Sequence, residues 1–267
     1  MDLIEKNLLF KLHKTFRYIL MYGISRTIVK IKGKYHMKRK FHNLPKNKKF
    51  NRKSHIGLIG CGNFSFSNIA YFLSKNKKNC IRTVMDIDIN KAASLYKEYN
   101  CSQYTNQIED LINDKNISLV FVASNHATHA EYAVKCIKAG KDVHIEKPHV
   151  VNNEQLKKLE QVHYQYPSRK IFLGFNRPKS KLFNTLKKYL KKESGPMMIS
   201  WFIAGHNIDS DHWYFNPKEG GRVLGNLSHW TDLTLNLIGL DQAFPCKISA
   251  SCPMNSKSDF ILSYVFS

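Results

Sequence analysis

Two stretches of this 267-residue chain hold side chains whose types and spacing suit chemistry on a bound small molecule. The first is Asp142-Val143-His144-Ile145-Glu146-Lys147-Pro148, a β-branched strand ending in a charged pair and a proline. A lysine at the carboxyl end of a strand can touch both a cofactor and a substrate, and Glu146 is read with it on the cofactor side. The plainer alternative for Lys147 is a surface salt bridge to Glu146. The second stretch contains His229, an imidazole that titrates near neutral pH and can take a hydroxyl proton. Its alternative is a helix-start residue packed under Trp230. Asp232, three residues on, is placed to orient that helix.

Such groups need a frame, and the preceding sequence supplies one. His55 to Ile59 is a short apolar strand running into Gly60-Cys61-Gly62-Asn63-Phe64-Ser65 and then a helical run. This is a G-x-G-x-x-G arrangement with Ser65 in the third place. Gly60 permits the turn, Gly62 lets a pyrophosphate approach the backbone, and the third residue needs only to be small. The first helical amides, from Asn63 and Phe64 onward, then face phosphate. Ile81 to Met85 is a second strand ending at Asp86, near the offset of a ribose-binding carboxylate, and an acid there favours NAD over NADP. Asp86 could otherwise cap the following helix, and Asp88 is the spare candidate.

Ser118 to Ala123 is a continuous apolar run of buried parallel-strand type, followed by Ser124 and His126. His129 opens the next helix and shapes a cofactor pocket rather than reacting. Strand and helix alternate throughout, which predicts a doubly wound parallel sheet with ligands at the strand carboxyl ends, where Gly60, Asp86, Ser124 and Glu146-Lys147 all fall. Past the apolar strand Ile171 to Leu173, Asn176 and Arg177 can face substrate; Arg177 can equally pair with an acid. His206, Asp211, His212 and Trp213 form a polar loop suited to a sugar, with Trp213 as a stacking surface. Their spacing is not a metal set, and the six scattered cysteines make neither a metal site nor a disulfide framework.

The formal charge is +22, but residues 1–53 supply +14 of it. A nucleic-acid partner is therefore disfavoured. Residues 3 to 22 place Leu8, Leu12, Phe16 and Leu20 at helical spacing among Lys11, Lys14 and Arg17. That helix either docks on protein or lies on an anionic membrane surface. From Lys30 to Lys53 the composition predicts an extended basic linker. No apolar stretch is long enough to span a membrane and no secretory signal is evident, so a cytoplasmic location is expected.

With these residues in place, the sequence resembles the glucose-fructose oxidoreductase/inositol dehydrogenase (Gfo/Idh/MocA) family. The matching pieces are Gly57 to Asn63, Ala123 to Ala133, Ala139-Gly140-Lys141, Glu146-Lys147-Pro148 and Gly174-Phe175-Asn176-Arg177. Asp211-His212-Trp213 and Gly220 to Asp232 look like a subgroup acting on sugars or sugar nucleotides in surface-polysaccharide pathways. The resemblance implies a Rossmann domain at 54–150 and an α+β domain at 151–267 with an open-faced, mostly antiparallel sheet, preceded by a basic extension at 1–53. It also implies NAD as cofactor, a homo-oligomer, and Lys147 with His229 at the reacting hydroxyl. Two departures stand out. The family's frequent aspartate four positions before the histidine is Gly225 here, leaving Asn226 as the polar contact. The chain also ends on the strand-like Phe260 to Ser267, as in a shortened member.

Overall fold

The computed structural model describes residues 8–47, 53–190, 192, 195–205, 208–209, 211–252 and 259–266. Helices α1 (Leu8–Tyr22) and α2 (Ile24–Lys38) meet at Gly23, whose φ of 84° suits a residue without a side chain. Residues 3–7 of the expected first helix lie outside the described residues. The linker expected from Lys30 begins later, because α2 continues through Lys38. Its buried positions are Thr27, Gly33 and His36. None is a large apolar residue, so a search for hydrophobic periodicity passes over this helix.

Strand β1 (Ile56–Ile59) pairs in parallel with β2 (Ile81–Met85) and with β4 (Leu119–Val122), and β2 pairs in parallel with β3 (Gln103–Thr105). With β5 (Asp142–Ile145) and β6 (Ile171–Leu173) the order is β3-β2-β1-β4-β5-β6, the doubly wound Rossmann order. All residues of β1 and β2 are buried, which explains the absence of any charged or polar side chain in β1; β2 also buries Thr83 and Arg82, the latter paired with Asp114. Leu58, Ile59, Val84, Val120 and Val122 have no solvent exposure. Each such side chain contributes roughly 1.5–3 kcal/mol by leaving water.

The crossovers contain α3 (Tyr71–Asn76), entered through a π-helical segment at Ser65–Ala70, then α4 (Ile89–Tyr99), α5 (Glu109–Ile112) and α6 (His129–Lys138). Asp88 caps α4 by accepting from the Asn90 amide at 3.0 Å. Beyond β5 come α7 (Asn153–Gln165), α8 (Lys181–Leu190), α9 (Ser228–Ile238) and the antiparallel pair β7 (Cys246–Ser251) and β8 (Ile261–Phe266). The expected antiparallel sheet is thus represented among the described residues by two strands. Two compact units divide the chain. One holds the residues up to Ser124 with Lys138–Val143, and the other holds Asn125–Ile137 with the residues from His144 onward.

Candidate functional site

In the first unit the glycine turn separates two demands that the sequence motif merges. Gly60 has a φ of 86°, and a Cβ there would lie 2.5 Å from both the Ala123 carbonyl oxygen and the Ser124 amide nitrogen. Only glycine fits. Gly62 faces open space, with no atom within 4 Å of the place a Cβ would take. Helical geometry begins at Asn63, and first-turn amides have no carbonyl partner within their own helix, so they can donate to phosphate. Asn63 and Phe64 are exposed, whereas Ser65 is fully buried where the motif requires a small residue.

The Asp86 carboxylate accepts from the Cys61 amide at 2.7 Å and the Asp88 amide at 2.8 Å. Capping α4 falls to Asp88, leaving Asp86 to tie the glycine turn to the end of β2. Each carboxylate oxygen has a second lone pair, so Asp86 can still accept from a ribose diol. An open approach at Gly62, helix-start amides and a half-buried carboxylate together fit a dinucleotide.

A contact that sequence reasoning missed lies behind this turn. The Nε2 of His36 is 2.6 Å from the Cys61 carbonyl oxygen, and its ring stacks on Phe66 with centroids 4.3 Å apart. Burial lowers its pKa below the usual histidine range. A Cβ at Gly33 would meet the Asn63 side-chain oxygen, so a larger residue there would require that side chain to turn away. The residues had been hidden inside an expected linker.

The second unit gathers the titratable groups. Lys147 follows β5 and donates from Nζ to the Gly225 carbonyl oxygen at 2.5 Å. Burial lowers the pKa of Lys147, the neighbouring Arg177 charge adds to that, and Glu146 opposes it. Burial pushes Glu146 up to about 7, against the opposing pull of Lys147. Gly225 lies in a π-helical segment at Val223–Leu227 that runs into α9 and carries Asn226, half-buried beside the carbonyl that Lys147 engages. Widened turns of this kind recur at functional sites.

His229, second residue of α9, is buried, its Nδ1 has no partner among the described residues, and its ring is edge-on to Phe175 at 5.9 Å. Its expected titration near neutrality is not what the surroundings give. Burial, and then the charges of Arg177, Lys147 and His149, push it down to about 4, so at pH 7 the ring is neutral. Arg177 stacks over the Trp230 ring at 4.8 Å and pairs with no acid among the described residues, while Asn176 is exposed before it.

His126 and His129 are both buried. The Nδ1 of His129 lies 2.8 Å from the Pro148 carbonyl oxygen, which links α6 to the segment carrying Lys147. The Nδ1 of His126 lies 2.8 Å from the Glu219 carbonyl oxygen, and burial drives this ring down to about 4. Trp213, about half exposed, meets His126 edge-on at 5.1 Å, and His212 is exposed beside it, accepting from the Tyr214 amide at 3.3 Å. His206 lies outside the described residues.

Two further residues of this cluster were not singled out from sequence. Glu219 is buried and its carboxylate accepts from Asn125 Nδ2 at 2.9 Å and the Ala127 amide at 3.0 Å. Tyr214 fills the space beside Gly225 so completely that a Cβ there would collide with its hydroxyl and ring. A buried acid just before Gly220-Gly221 was the available signal for Glu219; nothing in the spacing pointed to Tyr214.

Residues 54–169 match the family model described as "Oxidoreductase family, NAD-binding Rossmann fold". Residues 54–169 belong to the Gfo/Idh/MocA oxidoreductase family. Among curated relatives, the Inositol 2-dehydrogenase 2 of Saccharopolyspora erythraea is 28% identical over 185 residues, covering 69% of this chain and 53% of that protein. An NAD-binding protein from Listeria innocua has a similar fold, with a TM-score of 0.66 at 21% identity over 80% of this chain and 64% of its own. GenD2 from gentamicin A biosynthesis, solved in complex with NAD, gives 0.66 at 19% identity over 84% of this chain and 66% of its own. The chain spans about half the length, or less, of the curated relatives it matches. The glycine turn lies in this matched NAD-binding segment, as do Glu146, Lys147 and the two histidines of the 123–133 region.

Proposed function

We propose that this protein is an NAD-dependent oxidoreductase acting on a secondary alcohol of a sugar, sugar nucleotide or cyclic polyol. The observation that carries the reading is the buried cluster around Lys147, in which its ammonium is fixed on the Gly225 carbonyl and a neutral His229 lies within electrostatic reach. NAD, when bound, supplies the hydride acceptor. Lys147 holds the substrate hydroxyl and stabilises the oxygen as its proton leaves. His229 receives that proton in its neutral form. Because its basicity is depressed, it passes the proton on rather than storing it. Asn176, Arg177, Asn226, His212 and Trp213 supply polar and stacking contacts for the substrate ring.

On the cofactor side, Gly60, Gly62, Asn63, Phe64 and Ser65 form the phosphate cradle. Asp86 accepts from the ribose hydroxyls and disfavours a 2′-phosphate; Ser124, His126, His129 and Glu146 complete the proposed contacts. The inositol dehydrogenase relatives support a polyol as substrate, and the Asp211 to Trp213 loop supports a sugar. The proposal extends to a homo-oligomer, which light scattering on the full chain would test.

The test is cofactor titration followed by a panel of inositols, sugars and sugar nucleotides. Reduction of NAD by one of them is expected, with Lys147→Ala lowering kcat about 10²- to 10⁴-fold. A second reading, a non-catalytic NAD-binding member, rests on the occupation by Tyr214 of the space beside Gly225. Tight NAD binding with no reduction by any member of the panel would replace the first reading with the second.

A further inference from the structure

Helices α1 and α2, joined at Gly23, carry apolar surface that the described residues of their unit do not cover. On α1, Leu12, Phe16 and Leu20 follow one another at four-residue spacing and are 58%, 61% and 70% exposed. On α2, Ile28, Ile31 and Tyr35 form a second such row, also exposed, while Thr27, Gly33 and His36 take the buried side. Residues 8–47 include eleven lysines and arginines and no aspartate or glutamate. In α1, at about 100° per residue, Arg17 lies about 100° round the helix from Phe16, and Lys11 and Lys14 lie about 140° and about 160° from it.

We infer that this helical segment docks on an anionic lipid surface, with the Leu12-Phe16-Leu20 row entering the acyl boundary and the cations of the segment engaging headgroups. Charge decides between occupants. A second copy of the chain would bring two strongly basic segments together, and like charges oppose that contact. A nucleic acid would satisfy the cations but leave the apolar rows in water. An interfacial helix needs both features on one short element, as here. Among the described residues no helix is long and apolar enough to cross a membrane, so the contact is a peripheral one. The buried side of α2 holds the glycine turn through His36, so docking would bring the turn that carries the proposed cofactor site close to the membrane.

The experiment is co-sedimentation of the full chain with vesicles of phosphatidylcholine alone and with vesicles containing about one-third phosphatidylserine. Binding is expected only to the anionic vesicles, weakening with added salt. Phe16→Glu should weaken it about tenfold or more, and Leu12→Glu with Leu20→Glu should abolish it. These side chains are exposed, so the variants should keep the wild-type thermal midpoint and NAD affinity. The inference is overturned if neither vesicle binds. It is equally overturned if Phe16→Glu binds anionic vesicles as the wild type does, since the contact would then be one of charge alone. A concentration-dependent dimer that Phe16→Glu dissociates, with no vesicle binding, would assign the row to a second copy instead.

Discussion

Replacing each of the two glycines of the turn by alanine should produce opposite phenotypes. At Gly60 the new Cβ would sit 2.5 Å from two backbone atoms at the end of β4, in a residue with a φ of 86°. The left-handed conformation costs an L-residue roughly 1–2 kcal/mol. Forcing a methyl group against backbone that cannot rotate away adds about 1–3 kcal/mol. The expected loss is therefore on the order of 2–5 kcal/mol, a large part of the stability of a typical domain. At Gly62 the Cβ would meet nothing within 4 Å, and this glycine is not among those with positive φ. Gly62→Ala should be neutral, or stabilising by about 0.4–1 kcal/mol through the unfolded chain. If pyrophosphate approaches this backbone, the same methyl stands in its way, and the Kd for NAD should rise about tenfold or more, equal to about 1.4 kcal/mol. Urea denaturation with a shared m-value gives the first quantity, and calorimetric titration of NAD gives the second. The reasoning fails if Gly60→Ala loses less than about 1 kcal/mol. It fails as well if Gly62→Ala binds NAD as tightly as the wild type.

Burial raises Glu146 to about 7 in the folded protein, so between its ordinary value of 4.5 and about 7 the native state holds a proton that the unfolded chain has lost. Stability should fall as pH rises through that window, by about 3 kcal/mol in total, and Glu146→Gln should remove this component. Because His126, His149 and His229 are depressed to about 4, they give the opposite slope below 6.5, so the comparison must be variant against wild type; a pH-independent offset would sink the idea. Gly225→Asp should cost about 1–3 kcal/mol because the Tyr214 ring must swing away, and adding Tyr214→Ala should recover most of it. Additive losses in the double variant would show that the two positions do not compete for space. Burial alone would raise the Asp114 carboxyl, but its 2.5 Å bond to Arg82 outweighs this and holds it below the usual range. Arg82→Met should remove the donor to Asp114 Oδ2 while Asn116 still donates to Oδ1, at a cost of about 1–3 kcal/mol, and a urea midpoint unchanged from wild type would contradict it.

Sequence alone determined the parts of this protein whose cause is local. Strand β1 was legible because a strand covered on both faces is apolar throughout, as in Ile56 to Ile59, and Leu119 to Val122 keeps that composition with Val120 and Val122 buried and Leu119 and Phe121 partly so. Gly60 and Gly62 were legible because the turn needs an absent side chain, and Glu146-Lys147-Pro148 because charge directly after a buried strand must lie at its end. The tertiary structure decided what depends on distant neighbours. Residues from Lys30 to Lys38 are helix rather than linker because they pack through Gly33 and His36 on the glycine turn, a contact with no apolar periodicity to announce it. His229 is neutral well below its usual pKa because burial and the charges of Arg177 and Lys147 act on it, and no spacing rule encodes those. Tyr214 fills the volume beside Gly225 from eleven residues away, since a close contact depends on the path of the chain and not on separation along it.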